Sequence, residues 1–481
     1  MRAPAGVRFP TYPVVLAGAA ALNAALALKR PGSMSSALLL LVPLLIVLFG
    51  MLVASRRAIL VAAAMGLSMT FPVLQKPLPL PIPGQVYLAD LVVILAFVAW
   101  LARRLTAPPE TRPRGPTTPL LGPPLILFAV VMLSAALHGH YAYGTNIIGQ
   151  PVRLVAYALL VFALVDLDPR ATYRVIVVVF YVGTVWMFLN AVRYLATGTS
   201  QTDQIDLSTG GKRVLSLATA IYLSGALFLA LLNLELDRAA KRRAIHLLIA
   251  TLALAGIVVA YARATYVAVA IIVPVLFIWL PRLRRSVVSM LPMCLPFILL
   301  LAIALPRVAP SVGTTFTSRV EGTNSADANI RWRQAAAETL WEQVHASPIT
   351  GVGFGKSASF RFNGLPVTIN QDPHDSFLYL LAGGGVLALG CFALILLTFT
   401  VDAVRRLRRV TDPYRRLLVL WSIAMLASFL INAAAGPVLS DPRMLLTIWA
   451  LLLLPSSIAP AAAEELTSLS RRRRPTHPQA A

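Results

Sequence analysis

Residues 323–381 read TNSADANIRWRQAAAETLWEQVHASPITGVGFGKSASFRFNGLPVTINQDPHDSFLYLL, the longest polar interval of the chain. Apolar runs of about 17 residues or more recur on both sides of this interval, which is the length of a membrane-spanning helix. Such helices satisfy their own backbone polar groups in lipid, and the runs lack the alternation of a β-barrel strand. We therefore expect an all-α polytopic integral membrane protein with one long, partly helical loop on the outer, periplasmic or extracellular, side.

Composition supports this class. The 481 residues are 13% charged and have a mean hydropathy of +0.76, whereas a soluble domain has about a quarter charged residues. The net charge of +23 would suggest nucleic acid in a soluble protein, but here much of it lies in short loops, where it sets topology. Cys294 and Cys391 lie in apolar runs and have no metal or redox spacing. Nucleic-acid binding is therefore not expected.

We predict about fourteen spans, with twelve as the alternative count. They are expected near 14–28, 36–54, 58–74, 87–102, 121–138, 147–165, 172–195, 214–233, 244–261, 264–280, 286–305, 376–400, 415–433 and 443–459. The first is interpreted as a retained helix because no clear cleavage site follows it. The chain then divides into the helices of 1–305, an outer loop 306–375 carrying the active-site residues, the helices of 376–460 and a basic tail 461–481.

Basic residues predict the orientation, because cytoplasmic loops are enriched in Lys and Arg. They fall on alternate connections: Arg56-Arg57, Arg103 to Arg114, Arg238 to Arg243, Arg282 to Arg285, Arg405 to Arg416, and Arg471 to Arg474. All of these are cytoplasmic if both termini are cytoplasmic, and the loop 306–375 then faces outward. The Pro-rich segment 108–124 and the tail are expected to be flexible cytoplasmic segments.

Within the outer loop, Asp327 or Ser325 can cap a helix that ends before Pro348. One face of this helix is expected to lie on the protein or the membrane surface. That face carries Ile330, Ala337, Trp341 and Val344. The glycines that follow, Gly351, Gly353 and Gly355, are expected to break regular structure.

Several arginines are predicted on the outer side, which the topology rule leaves poor in them. They are Arg153, Arg193, Arg213, Arg263, Arg331, Arg333, Arg361 and Arg443. A guanidinium forks onto phosphate oxygens, so a cluster at the lipid headgroups suits a phosphate or diphosphate. The alternative is that some of them pair with Asp90, Asp375 or lipid phosphates. Arg263 is the sharpest case because its turn has almost no loop, although it could instead reach towards headgroups.

His374 precedes a span in Asp372-Pro373-His374-Asp375-Ser376, and an imidazole suits a general base near neutral pH. The alternative is a structural histidine, and adjacency does not show that Asp375 orients the ring. His138 and His140 resemble a metal pair but lack companion ligands, so we expect no metal site.

The segment Gly355-Lys356-Ser357 looks like the end of a phosphate-binding loop. Thr350 stands where the first glycine is required, and no buried strand precedes the segment. We therefore reject this interpretation.

Four segments together resemble the O-antigen ligase and polymerase family of bacterial envelope glycosyltransferases. They are the turn Tyr261 to Thr265, the arginines of Asn329 to Arg333, the segment Ser347 to Gly355, which is close to Pro-x-x-Gly-x-Gly, and His374 to Leu378. The resemblance is clear over about 255–400. Asp375 stands where the family usually has Asn, and either Arg331 or Arg333 can align with the family's loop arginine, Arg331 being favoured.

The resemblance implies a GT-C-like, metal-independent transferase without a cofactor at the outer face of the bacterial inner membrane. Its donor would be a glycan on a polyprenyl diphosphate, and its acceptor a hydroxyl of a glycolipid or glycan. Arg263, Arg331 and Arg213 would stabilise the diphosphate, with Arg333 as the alternative to Arg331, and His374 would be the general base of an inverting reaction. Asp375, Arg153, Arg193, Arg361 and Asp90 are candidates for binding or support.

Two other function classes remain. A transporter or flippase of a lipid-linked glycan would also need cationic residues and many spans, but it usually shows paired halves and broken helices near the midplane. A structural membrane component would leave the outer arginines and His374 without a role. Ligase and polymerase share the donor chemistry and differ only in the acceptor.

Overall fold

The computed structural model describes residues 86–106, 108, 118–119, 122–138, 146–164, 167–197, 214–281, 283–285, 328–369 and 375–458. This part of the chain is mostly helical. Its helices are α1 (Leu88–Thr106), α2 (Pro123–Leu137), α3 (Asn146–Ala156), α4 (Val161–Leu164), α5 (Pro169–Thr197), α6 (Leu217–Leu236), α7 (Ala240–Val259), α8 (Arg263–Trp279), α9 (Ala328–Ala346), α10 (Ser376–Arg409), α11 (Pro413–Ala433) and α12 (Pro442–Ile458). A single turn of 3-10 helix, Tyr157–Leu160, joins α3 to α4.

Ten of the predicted spans coincide with these helices, and the segment 147–165 is divided into α3, the 3-10 turn and α4. The other four, at 14–28, 36–54, 58–74 and 286–305, lie outside the described residues. By length and composition, five of the described helices can cross a membrane: α5, α6, α7, α10 and α11. Shorter apolar helices cover Pro123–Leu137, Pro151–Leu160, Arg263–Trp279 and Pro442–Ser457. The described part is thus a polytopic helical membrane protein.

The helix α6 lies at the centre of the bundle, since every residue from Ala218 to Leu234 is buried. Two buried polar contacts join it to α11. Ser224 Oγ lies 2.9 Å from Ser428 Oγ, and Trp421 Nε1 donates to the Gly225 oxygen at 2.9 Å. Inter-helix hydrogen bonds of this kind supplement van der Waals packing where lipid provides little hydrophobic drive.

The two ends of the bundle differ in charge. At one end, which we call the basic end, α10 finishes in Arg405 to Arg409 and α11 begins beside Arg415 and Arg416. The end of α6 lies at this end too, because Tyr173 contacts both the Tyr414 ring of α11 and Asn233 of α6. The start of α7 follows α6, and the Leu283 N–H after α8 donates to Glu235 Oε2 of α6 at 2.6 Å. At the other end, which we call the site end, α8 and α10 begin beside the end of α11.

The described part of the predicted outer loop contains a helix and a hairpin. Helix α9 ends at Ala346, before Pro348 as predicted, and His345 lies in its last turn. Strands β1 (Ala358–Phe362) and β2 (Leu365–Ile369) pair antiparallel across Asn363 and Gly364, whose φ angles are +51° and +82°. An Asn-Gly pair is the favoured two-residue hairpin turn, so the sequence carried a signal for this hairpin that the prediction missed.

The buried face of α9 is rotated from the predicted one. Ala336, Leu340 and Val344 pack with Leu378 and Ala382 of α10, and with Ala358 and Ile369 of the hairpin. Trp341 of the predicted face is outside this packing and 46% exposed, so its contact with a membrane surface stays a prediction. Its indole lies at the edge of the packed face, where its centroid is 6.1 Å from that of the His345 ring. The i, i+4 row of small and aliphatic side chains fits closely against α10 and the hairpin, and the larger indole is left outside.

Candidate active site

Helix α10 is broken near its start. Gly385 has φ +66° and ψ −169°, a conformation outside the helical range. The segment Pro348–Phe354, which we call the docking segment, fills the break with backbone hydrogen bonds. Val352 and Gly353 donate to the oxygens of Ala382 and Gly383, both at 3.0 Å, while Val386 and Leu387 donate to Pro348 and Ile349 at 2.9 and 3.2 Å. Backbone groups that a break would leave unsatisfied in the membrane are therefore paired within the protein.

Two glycines make this close approach possible. A Cβ at Gly351 would lie 2.4 Å from the Gly383 oxygen, and a Cβ at Gly385 would lie 2.1 Å from the Ile349 oxygen. Phe354 completes the docking segment: it is fully buried, its ring lies 5.1 Å from that of Tyr379, and its N–H donates to the Ala135 oxygen at 3.3 Å. The Pro-x-x-Gly-x-Gly pattern thus attaches the outer loop to α10 and α2.

The start of α10 is held by two side chains. Asp375 Oδ1 accepts the N–H groups of Phe377 and Leu378 at 2.9 and 3.1 Å, so Asp375 is the N-cap. Ser376 Oγ donates to the Gly436 oxygen at 2.8 Å and accepts the Leu439 N–H at 3.1 Å. His374 lies outside the described residues. The start of α10 is thereby attached to the turn that joins α11 to α12.

Arg263 is the first residue of α8 and is half-buried. The preceding turn is tight, since Tyr261 has φ +53°, which is uncommon for a non-glycine residue. Burial raises the pKa of the Tyr261 phenol, which is neutral near pH 7 even at its ordinary pKa of about 10. Two residues further on, Thr265 Oγ1 donates to Asn432 Oδ1 at 2.8 Å, in a fully buried contact with the last turn of α11. The helix that begins with Arg263 therefore starts beside the end of α11.

The two helix starts share one support. Asn432, which contacts α8, and Gly436, which contacts α10, are four residues apart at the end of α11. The start of α6 reaches the same place, because a Cβ at Gly436 would lie 2.7 Å from Leu217 Cδ2. Arg213, four residues before Leu217, lies outside the described residues. The structure thus brings the start of α8 and the start of α10 to a single locus at the site end.

The remaining outer arginines occupy different positions. Arg331 is exposed on the first turn of α9, while the neighbouring Arg333 is half-buried and has a polar or ring contact. Arg361 is exposed on β1, opposite Pro366. Arg193 is exposed near the end of α5, with its guanidinium carbon 4.9 Å from the centroid of the Tyr194 ring.

Comparison with known proteins bears on the same region. Residues 248–393 match the family model described as O-antigen ligase. This O-antigen ligase match confirms the resemblance and indicates a membrane-embedded glycosyltransferase-like enzyme of polysaccharide or O-antigen assembly, with lipid-linked glycan substrates. No curated protein matches the chain.

The O-antigen ligase match includes Arg263, Arg331, Arg333, Arg361 and the segment around Asp375. Arg153 and Arg443, which lie outside the match, are paired with carboxylates. Arg153 and Asp90 form an ion pair, with Nε 2.7 Å from Oδ1. Arg443 pairs with Asp441, its Nε donating to Oδ1 at 2.7 Å. The alternative that some outer arginines pair with carboxylates therefore holds for Arg153, and Asp441 is a partner that the sequence analysis did not name.

Among the described residues, no three His, Cys, Asp or Glu side chains come together as metal ligands. His138 Nδ1 contacts the Ser134 oxygen at 2.8 Å, and His140 lies outside the described residues. Metal independence stays a prediction. The contacts of Thr265, Asn432 and Ser376 were not predicted, although Asn432 carried a signal as an amide inside an apolar span.

Proposed function

We propose that the protein transfers a glycan from a polyprenyl diphosphate to a hydroxyl of an acceptor glycolipid or glycan. One observation carries this proposal. The helix that begins with Arg263 and the helix that begins just after His374 both contact the end of α11, through Thr265–Asn432 and Ser376–Gly436. Two residues span at most about 7 Å of chain, so Ser376 limits where His374 can lie. A cation for the donor and a base for the acceptor can then serve one substrate pair.

The reaction follows from these groups. His374 takes the proton of the acceptor hydroxyl as its oxygen attacks the anomeric carbon. The bond from that carbon to the phosphate oxygen breaks, and the lipid diphosphate leaves. Arg263, with Arg331 and Arg213, stabilises the departing charge, and Arg333 is the alternative to Arg331. These guanidinium groups would do the work of a divalent metal, and direct displacement inverts the anomeric configuration.

The placement in the membrane is part of the proposal. The arginine-rich connections of the described residues gather at the basic end, which we assign to the cytoplasm with both termini. The site end then faces the outside of a bacterial inner membrane, and the full chain has about fourteen spans in a GT-C-like arrangement. Ligase and polymerase activity share this donor chemistry and differ only in the acceptor.

The test uses the purified protein in detergent with a defined polyprenyl-diphosphate glycan and a panel of acceptors, and product masses are read with and without EDTA. We expect an acceptor whose mass rises by one donor glycan, formed equally well in EDTA. His374→Ala should lower the transfer rate by about 10²-fold or more while donor affinity stays near that of the wild type. Full activity of His374→Ala would remove the proposed base, and absence of any product from the wild type would remove the proposed reaction.

A second candidate, transport of a lipid-linked glycan, is favoured by the break of α10 at Gly385, since broken helices are typical of transporters. The docking segment pairs the backbone groups at this break, which leaves fewer of them for a transported substrate. Protein reconstituted in vesicles distinguishes the two. Movement of the donor across the bilayer with unchanged mass would support transport, and glycan transfer without movement would exclude it.

A further inference from the structure

We propose that Ser376 and Thr265 are positioning residues of this transfer, holding the base and the diphosphate-binding arginine on one support. The support is the segment Asn432–Leu439, which comprises the end of α11 and the turn after it and which we call the support segment. The proposal rests on the proposed function. It adds that two buried hydroxyl groups, neither of which takes part in the reaction, set the relative position of the starts of α8 and α10.

The Ser376 hydroxyl both donates and accepts a hydrogen bond. The side chain is 2% exposed, its O–H donates to the Gly436 oxygen at 2.8 Å, and its oxygen accepts the Leu439 N–H at 3.1 Å. Leu439 is itself fully buried, so removing the hydroxyl would leave a buried backbone donor without this acceptor. The two bonds reach residues on both sides of Pro437, and together they restrict both the height and the direction of the start of α10.

Thr265 makes the corresponding contact for α8. Thr265 and Asn432 are both fully buried, and Thr265 Oγ1 donates to Asn432 Oδ1 at 2.8 Å. The amide of Asn432 is held from its other side, since Nδ2 donates to the Ser428 oxygen at 2.8 Å. The hydrogen bond to Ser428 therefore orients the Asn432 amide that accepts from Thr265. The first turn of α8, which begins with Arg263, packs against this fixed amide.

The support segment is anchored in the centre of the bundle. Ser428, one turn before Asn432, contacts Ser224 of the buried helix α6, and Leu217 of α6 lies against Gly436. The starts of α8 and α10 therefore contact α11, and α11 in turn packs against the buried helix α6. General-base catalysis needs heavy atoms within hydrogen-bond reach, and a misplacement of about 1 Å costs about 10²-fold in rate.

The two residues should affect different steps. Loss of the Ser376 contacts displaces the base and slows the transfer step, because donor binding does not involve the imidazole. Loss of the Thr265 contact displaces the guanidinium of Arg263 and weakens donor binding. A single-turnover experiment separates these effects from misfolding, since its rate constant is independent of the fraction of folded protein, whereas its amplitude reports that fraction.

The experiment measures single-turnover transfer from saturating polyprenyl-diphosphate glycan, together with donor affinity, for the wild type and four variants. We expect Ser376→Ala to lower the rate constant by about 10-fold or more with donor Kd within about twofold. Ser376→Thr, which keeps the hydroxyl, should recover most of that loss. Thr265→Val should raise donor Kd by about 5-fold to 10-fold, and Thr265→Ser should restore it.

Ser456→Ala is the matched control. It removes a buried serine contact between α12 and Thr118, which reaches neither helix start nor the support segment. We expect a lower thermal midpoint and a lower amplitude, with the rate constant and donor Kd of the wild type. Should Ser376→Ala not be recovered from the membrane, Ser376→Cys takes its place, because it weakens both hydrogen bonds at similar volume.

A wild-type rate constant for Ser376→Ala or Ser376→Cys, or an equal loss of rate constant in Ser456→Ala, would overturn the proposal. So would unchanged donor affinity in Thr265→Val. Failure of the proposed function gives a different result, because the wild type would then form no product at all.

Discussion

The guanidinium of Arg153 donates two hydrogen bonds to the carboxylate of Asp90, from Nε to Oδ1 at 2.7 Å and from Nη2 to Oδ2 at 3.0 Å. The Tyr157 hydroxyl donates to Oδ1 at 2.6 Å and the Tyr87 N–H to Oδ2 at 2.8 Å. The side chains of Arg153 and Asp90 are only 12% and 13% exposed. This satisfied pair holds the start of α1 to α3 at the site end, which favours a supporting role over substrate binding.

Replacing one partner of this pair should therefore destabilise the protein without slowing transfer. We expect Asp90→Ala to lower the free energy of unfolding by about 3 kcal/mol, because it leaves a buried guanidinium without its carboxylate. Thermal unfolding in detergent measures the loss, and single-turnover transfer measures the rate constant of the folded fraction.

The pair Asp402–Arg406 is the control, since it also joins side chains of low exposure but lies within one helix at the basic end. Asp402→Ala should cost about 0.5 kcal/mol. If Arg153→Leu weakened donor binding at full stability, Arg153 would be a substrate ligand and the supporting role would be lost.

The two arginines at the start of α9 should differ in their effect on donor binding, because they differ in exposure. Arg331 is exposed and can reach a diphosphate, whereas Arg333 is half-buried and already has a contact. Arg331→Ala should raise donor Kd by about 10-fold, as expected for loss of one charge-assisted contact. Arg333→Ala should change the thermal midpoint more than the donor Kd.

Arg408, exposed at the basic end, is the control for a general loss of positive charge. Arg408→Ala should leave donor Kd unchanged. A larger increase of donor Kd in Arg333→Ala than in Arg331→Ala would show that Arg333 is the donor ligand.

The carboxyl group of Asp375 should be replaceable by an amide. Asn caps a helix about as well as Asp, so Asp375→Asn should change stability by less than about 0.5 kcal/mol, while Asp375→Ala should cost about 1 kcal/mol. Because the family usually has Asn here, we expect the Asn variant to transfer glycan at a rate close to that of the wild type. A stable Asp375→Asn protein without transfer would show instead that the carboxylate acts on His374.

The glycine at the break of α10 should tolerate no side chain. A Cβ at Gly385 would meet the Ile349 oxygen at 2.1 Å, and the backbone conformation is one that only glycine adopts readily. We expect Gly385→Ala to lower the thermal midpoint strongly and to expose the docking segment to protease. Gly390 in the same helix is the matched control, since a Cβ there meets nothing within 4 Å.

Gly390→Ala should stabilise the helix by up to about 1 kcal/mol, because Ala is the better helix former. Similar thermal midpoints for the two alanine variants would mean that the break does not need glycine.

The helices could be predicted from the sequence because a bilayer demands long apolar runs. The helices α5 and α11, for example, begin and end within a few residues of their predicted bounds. The break at Gly385 could not, since glycines inside an apolar run do not change its hydropathy. The contacts of Ser376 and Thr265 depend on which helix ends meet, and no local pattern encodes that. The hairpin could have been predicted, because Asn363-Gly364 is a favoured two-residue hairpin turn.

Of the candidate site, the sequence led us to propose the residues but not the support segment between them. Arg263 and Asp375 stand at helix starts as expected, while the shared contact with α11 emerged only from the packing. Arg213 and His374 lie outside the described residues, so their roles stay predictions.

The docking segment also has a consequence for how the chain is made. Because Pro348–Phe354 precedes α10, it leaves the ribosome before the helix whose gap it closes. Until the two meet, the amides of Val386 and Leu387 have no acceptor within their own helix. Insertion of α10 into the bilayer is thus completed only by contact with a previously synthesised part of the chain. Mutations in the docking segment should then appear first as poor membrane insertion and rapid turnover, before any effect on chemistry can be measured.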